Sequence, residues 1–241
     1  MTFAGICNET RALLFDLDGT LIDSMPHHHR AWVEWHARRG LVIDADTFFL
    51  ATAGRTNEEI FADMLPGASA AEIERLVDEK ESLYRQIAAP VLGLIEGADA
   101  YVRQARAAGL LLAVCTASTL PNMALAFARF GIDGWVDTVV SPADVASAPG
   151  GHGARLRGKP HPDIFLEAAR RLGITPEHCI VFEDAPLGIE AARRAGMRAV
   201  ALTTSLPASA FAAFDNLLAV AADFTAAGLQ EFRQPLVAPG R

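Results

Sequence analysis

The sequence predicts an α/β fold, a doubly wound parallel sheet with a block of helix inserted after its first strand. Three observations predict it. Short runs at 12–16, 110–115, 136–140, 179–183 and 198–202 are rich in Val, Leu and Ala and apolar on both faces, as strands buried in a parallel sheet are. Amphipathic stretches alternate with these runs from Leu94 onward, and Gly109, Gly131, Gly173 and Gly196 each stand where a helix C-terminus favours glycine. The segment 24–92 breaks the alternation, holds no convincing strand and reads as helix throughout.

The first run leads into Asp16-Leu17-Asp18-Gly19-Thr20-Leu21-Ile22-Asp23-Ser24. Positions two apart in a strand share a face, so Asp16 and Asp18 can converge. Two adjacent carboxylates repel unless a cation or proton sits between them. Gly19 lets the backbone turn tightly away. Within the helical segment, Thr56-x-x-Glu59 before Ile60-Phe61 and Ser69-x-x-Glu72 before Ile73 have the form of capping boxes. The run at 110–115 ends in Thr116-Ala117-Ser118. After 136–140 comes a stretch rich in Gly and Pro, from Ala146 to Arg157, which marks a loop. Gly158-Lys159-Pro160-His161-Pro162-Asp163-Ile164-Phe165 follows it. The run at 179–183 continues into Asp184-Ala185-Pro186-Leu187-Gly188-Ile189. Doubly wound sheets bind ligands outside the carboxyl ends of their strands. Asp16, Thr116 and Asp184 all fall at or just after such ends, so groups distant in sequence can meet in one cleft.

The first string resembles DxDGT(L/V)xD(S/T), the first motif of the haloacid dehalogenase (HAD) superfamily. The Thr116, Lys159 and Glu183-Asp184 segments resemble its three later motifs, the last two in the forms GKPxPDxF and (V/F)EDxxxGIxAA, and all four occur in order. The resemblance implies a Rossmann-like core and an enzyme that passes through an aspartyl phosphate. Asp16 would be the nucleophile and Asp18 the acid and base. Thr116, with Ala117 and Ser118, would bind phosphate, and Lys159 would face the transferring group. Mg²⁺ would be held by Asp16, the Asp18 backbone carbonyl and Asp184, with Glu183 ligating or holding a metal water. The acid at Asp18 excludes the branch that attacks carbon. The helical insert resembles the cap of HAD subfamily I, which implies a core of 1–23 and 93–241, a cap of 24–92, and crossings at 23–25 and 91–96. Beside the β-phosphoglucomutase and sugar-phosphatase branch, His28, Arg55 and Lys80 match cap residues that contact substrate or orient the acid. His27-His28-His29 is not a metal site, because consecutive helical side chains splay by about 100°. The loop reaching Arg157 is longer than the family's form and reads as a surface insertion, the alternative being substrate contact through Arg155 or Arg157.

A formal charge of −8 over 241 residues argues against nucleic acid or an anionic membrane as partner. Cys7, Cys115 and Cys179 share no close spacing, so neither a disulfide framework nor a zinc site is expected. No apolar run approaches membrane-spanning length. The expectation is a cytoplasmic monomer: a Mg²⁺-dependent phosphatase hydrolysing a small phosphorylated metabolite, a sugar phosphate. The alternatives are a β-phosphoglucomutase using the same residues, and a non-catalytic binding protein that keeps the fold, against which the intact carboxylates argue.

Overall fold

The computed structural model describes residues 10–52, 55–141, 143–144 and 155–226. In chain order the elements are β1 (Ala12–Phe15), α1 (Met25–Ala37), α2 (Ala45–Thr52), α3 (Asn57–Met64), α4 (Ala70–Ala88), α5 (Ala98–Ala107), β2 (Leu111–Cys115), α6 (Leu120–Phe130), β3 (Thr138–Val140), α7 (Asp163–Leu172), β4 (Cys179–Glu183), α8 (Pro186–Arg194), β5 (Arg198–Leu202) and β6 (Leu217–Ala221). The six strands form one sheet in the order β3-β2-β1-β4-β5-β6, every pairing parallel. Gly109, Gly131, Gly173 and Gly196 all take the positive φ expected of glycines closing helices.

Strand periodicity sorts the core into two layers. Leu13 and Phe15 face one side, where Phe15 stacks on Phe182 at 5.1 Å and Tyr101 meets Phe182 edge-on at 5.3 Å. Ala12 and Leu14 face the other, against Val181, Phe165 and Ile189. The strand β6 was not among the sequence expectations. Its Leu217-Leu218-Ala219-Val220-Ala221 run lies at the sheet edge, and no α-helix separates it from β5 to signal a crossover. At the other edge, β3 begins at Thr138 rather than 136; the Asp137 carboxylate just before it accepts from the Leu112 amide at 2.8 Å.

Four helices fill the span between β1 and α5. Thr56 forms the complete capping box with Glu59, and Ser69 accepts from the Glu72 amide. Within the insert, α4 packs on α1 and α3, and it also reaches α6 beside the sheet. Trp32, Trp35 and Phe61 form its aromatic centre, with both Trp rings 5.0 Å from Phe61. The chain's two passages between insert and sheet lie side by side. Asp23 N–H donates to Gly93 O at 2.9 Å and Ile95 N–H to Leu21 O at 3.0 Å.

Candidate active site

The register of the sheet assembles the site. Phe15 of β1 pairs with Val114 of β2 on one side and Phe182 of β4 on the other. The next residues along, Asp16, Cys115 and Glu183, therefore emerge level, followed by Thr116 and Asp184. The strand order changes direction about β1, so these ends flank the topological switch point where open α/β sheets bind ligands.

Asp16, Glu183 and Asp184 are buried and offer carboxylate oxygens all within 4.8 Å of one another. Lys159 reaches into them from the segment before α7, its Nζ 2.5 Å from Asp16 Oδ1, 2.6 Å from Glu183 Oε1 and 3.2 Å from the Cys115 carbonyl. One ammonium does not balance three carboxylates. Burial, then the neighbouring acids Glu183 and Asp184, push Asp16 well above the usual carboxylate range although Lys159 opposes them. Burial and Glu183 push Asp184 up to about 7. Lys159 is raised despite its burial, because Asp16 and Glu183 favour its charged form. A hard divalent cation would relieve this crowding, and an all-oxygen donor set suits Mg²⁺.

Two glycines make room for the acids. A Cβ at Gly188 would stand 1.9 Å from the Glu183 carboxylate, and one at Gly19 would stand 2.1 Å from Asp184 Oδ2. Asp184 is further held by Thr20 Oγ1 at 3.3 Å and by Ser205 Oγ. Neither Thr20 nor Ser205 was anticipated. Ser205 follows the end of β5, next to β4, so the strand-end rule could have found it.

Thr116 is fully buried and its Oγ1 accepts from the Ser118 amide at 2.9 Å, which leaves its O–H free to donate. Thr116, Ala117 and Ser118 line the cleft at the start of α6, where unpaired helix amides suit an anion. Across from them His28 places Nε2 3.6 Å from Asp18 Oδ1. Burial would raise Asp18, but His28, Ser24 and Ser118 outweigh it and hold the carboxyl below its usual range. His28 stacks on Tyr84 with centroids 3.7 Å apart, and its Nδ1 lies 2.8 Å from Lys80 Nζ. As helical splay requires, His29 instead stacks on Phe49 at 5.3 Å.

Lys80 is buried, 1% exposed, and bonded to His28 and Glu81, so it reaches the cleft as part of a network. Arg55 lines the cleft and pairs with Asp63 at 2.6 Å. Arg157 pairs with Asp163 at 2.8 Å and, like Arg155, does not line the cleft; residues 145–154 of the long loop lie outside the described residues. The sequence reading passed over Glu81, Asn57 and Asn122, all of which line the cleft.

A doubly wound sheet with clustered carboxylates, a lysine and an anion-ready helix start at its switch point defines an α/β phosphoryl-transfer enzyme. The chain belongs to the haloacid dehalogenase-like hydrolases, whose family model matches residues 10–196. It is 31% identical over 229 residues to validoxylamine A 7′-phosphate phosphatase of Streptomyces hygroscopicus subsp. limoneus, covering 95% of this chain and 99% of that one. It is 32% identical over 192 residues to hexitol phosphatase A of Escherichia coli K12, covering 80% and 82%. The crystal structure of a HAD hydrolase of family IA, variant 3, from Entamoeba histolytica HM-1:IMSS superposes with a TM-score of 0.78 at 26% identity, over 92% of this chain and 97% of that one. The chain is a phosphoric monoester hydrolase. Among the described residues no helix is long and apolar enough to cross a membrane.

Proposed function

We propose that this enzyme is a Mg²⁺-dependent phosphatase that hydrolyses a small sugar phosphate through an aspartyl phosphate on Asp16. The observation that carries the proposal is the gathering of Asp16, Glu183 and Asp184 around Lys159 in the cleft that Asp18 also lines, with His28 against Asp18. Mg²⁺ would be held by the carboxylates of Asp16 and Asp184 and the Asp18 carbonyl, with Glu183 at or near it. It would supply charge neutralisation for an incoming phosphate dianion.

The residues divide the chemistry. Thr116 O–H and the amides at the start of α6 orient the phosphoryl oxygens, and Lys159 draws charge off them. The Asp16 carboxylate attacks phosphorus in line. Asp18 is ionised at rest; the arriving dianion is a like charge, which raises its proton affinity, so Asp18 takes up a proton from bulk water as substrate binds and then passes that proton to the leaving oxygen. Once that oxygen departs, Asp18 is a base again and takes a proton from the water that attacks the aspartyl phosphate.

Residues 24–92 serve in this proposal as a cap on a core of 1–23 and 93–241. Their helices pack on one another, and the paired passages at Asp23 and Gly93 supply a narrow hinge. Trp32, Phe49 and Ile60 give the cleft an apolar wall, and Thr52, Thr56 and Asn57 stand among them. That mixture suits a ring with hydroxyl groups. Buried, unpaired Cys115 and Cys179 suit a reducing cytoplasm, and one protomer supplies every residue named.

A panel of phosphorylated sugars and polyols assayed with Mg²⁺ tests the proposal by release of inorganic phosphate. With β-glucose 1-phosphate and a trace of the bisphosphate, glucose 6-phosphate as product would instead identify a mutase.

EDTA is expected to abolish turnover and Mg²⁺ to restore it, with Ca²⁺ a poor substitute because its looser shell misplaces the attacking oxygen. Equal rates with Ca²⁺ would remove this role for the metal. The same site ties metal binding to pH. Asp184 binds its proton more tightly folded than unfolded, so the metal-free protein loses stability as pH rises from about 4 toward 7. A cation must displace that proton below pH 7 and meets none above it. Mg²⁺ should therefore raise Tm more at pH 8 than at pH 5.5, and an equal shift at both would place the metal elsewhere.

Arg55→Ala should raise KM for sugar phosphates by about tenfold and leave that for p-nitrophenyl phosphate nearly unchanged. In this proposal Arg55, as a cap residue lining the cleft, reads the part of the substrate remote from phosphorus, which the small aryl ester lacks. Its exposed pair with Asp63 contributes little stability, about 0–1 kcal/mol. Uniform loss with both substrates would place Arg55 in the chemistry at phosphorus.

A further inference from the structure

A buried ionic network joins the inserted helices to the core. Lys80, Glu81 and Asn122 are 1%, 2% and 4% exposed. Both Glu81 oxygens are occupied. Oε1 accepts from Lys80 Nζ at 2.7 Å and from Asn57 Nδ2 at 2.6 Å, and Oε2 accepts from Asn122 Nδ2. Asn122 belongs to α6, and its carbonyl oxygen accepts from Arg85 Nη1 at 3.0 Å. Glu81 and Arg85 stand one turn apart on one face of α4. Together they hold the Asn122 amide by both ends, the carboxylate taking its N–H and the guanidinium donating to its C=O.

Each end of this network meets the site. Through Lys80 it reaches His28 Nδ1 at 2.8 Å, and His28 Nε2 lies 3.6 Å from Asp18. Through Asn122 it grips the first turn of α6, the helix that directly follows the cleft-lining Thr116 and Ser118. A buried carboxylate is costly unless its oxygens are satisfied, and here Asn122 completes the set.

We propose that Glu81 is a positioning residue. By gripping Asn122 while holding Lys80, it places the Lys80–His28 pair against Asp18 only when α4 is seated on α6. This rests on Asp18 being the acid and base of the proposed function. The arrangement couples docking of the insert to assembly of the proton-transfer site, so an unseated insert leaves Asp18 without its partner. Burial works against the Glu81 charge, yet Lys80, His28 and Asn122 outweigh it and hold its carboxyl down at about 2, so the grip is charged throughout the working pH range.

The test exchanges the two chemical groups. Asn122→Asp sets two carboxylates against each other in a buried contact, and Glu81→Gln in the same chain restores an amide–carboxylate pair with the roles reversed. Wild-type phosphate release from p-nitrophenyl phosphate is measured first and judges the proposed function by itself. Hydrogen exchange on the same proteins reads the seating of α4 without reference to turnover. Asn122→Asp is expected to lower kcat by about tenfold or more with KM changed by less than about threefold, and to speed exchange in 81–88 and 120–126. The double variant should return kcat to within about threefold of wild type and restore the protection.

A residue that only stabilised the fold would lower Tm without this rescue. The proposal is overturned if Asn122→Asp leaves kcat and exchange at wild-type values, or if the double variant is no better than the single one. Should Asn122→Asp fail to fold, Glu81→Gln alone carries the same expectation, because its amide cannot hold both Lys80 and Asn122. Wild-type kcat and exchange in that variant would overturn the proposal as well.

Discussion

Asp16→Asn is expected to lower turnover by at least about a thousandfold, to the limit of detection. An amide oxygen is a far weaker nucleophile than a carboxylate, and the substitution also replaces one of the three carboxylates gathered within 4.8 Å by a neutral amide, a weaker metal donor. The fold should survive. Asp16 is pushed upward chiefly by burial and is crowded by Glu183 and Asp184, so its charge works against the metal-free native state. Lys159 keeps its 2.6 Å contact with Glu183. The metal-free variant should accordingly melt no lower than the wild type at pH 8, with a smaller Tm rise on adding Mg²⁺. Loss of activity with intact melting separates a missing nucleophile from a damaged fold. Activity above about a thousandth of wild type would remove Asp16 from that role.

The parts of the site legible in the sequence were those whose chemistry is local. Asp16, Asp18 and Gly19 stand together because a strand end and a tight turn bring them together, and the alternation of short apolar runs with glycine-closed helices is enough to place that turn at the mouth of a parallel sheet. His28 was separable from His27 and His29 by helical splay, though which of the three meets Asp18 came from resemblance. Lys80 came from resemblance alone, because a lysine four residues before Tyr84 on an amphipathic helix reads equally as an exposed one; in the structure it is buried, and a buried lysine must be paired. Its partner was not legible, because Glu81 is satisfied by Asn57 and Asn122, 24 and 41 positions away, on two other helices. The hydroxyls of Thr20 and Ser205 are similar: their contact with Asp184 depends on where β5 lies relative to β4, and strand order is a property of the whole sheet. The edge strand β6 was missed for the complementary reason, since an Ala-rich run with no intervening helix carries no periodicity that distinguishes strand from helix.

Gly19→Ala should cost about a hundredfold in turnover and raise the Mg²⁺ concentration for half-maximal activity by about tenfold, the scale on which displaced metal-site partners act. Two effects meet at this position. Gly19 has φ +78°, where a side chain costs about 1–2 kcal/mol. The new Cβ would also fall 2.1 Å from Asp184 Oδ2 and 2.7 Å from Ser205 Oγ. Neither side has room to yield. Thr204 Oγ1 binds the Gly19 carbonyl at 2.5 Å and the Gly19 amide donates to Ile22 O at 2.9 Å, so the turn is fixed from both directions, and Asp184 is held by Ser205 and Thr20. The carboxylate must therefore leave its place among the three carboxylates that would hold the metal. Gly40→Ala separates strain from collision, because Gly40 has φ +68° and nothing within 4 Å of its Cβ position. That variant should lose comparable stability in thermal melts and keep wild-type turnover and Mg²⁺ dependence. If Gly40→Ala loses as much activity, backbone strain rather than the position of Asp184 controls the rate. If Gly19→Ala retains wild-type turnover at low Mg²⁺, Asp184 does not hold the metal.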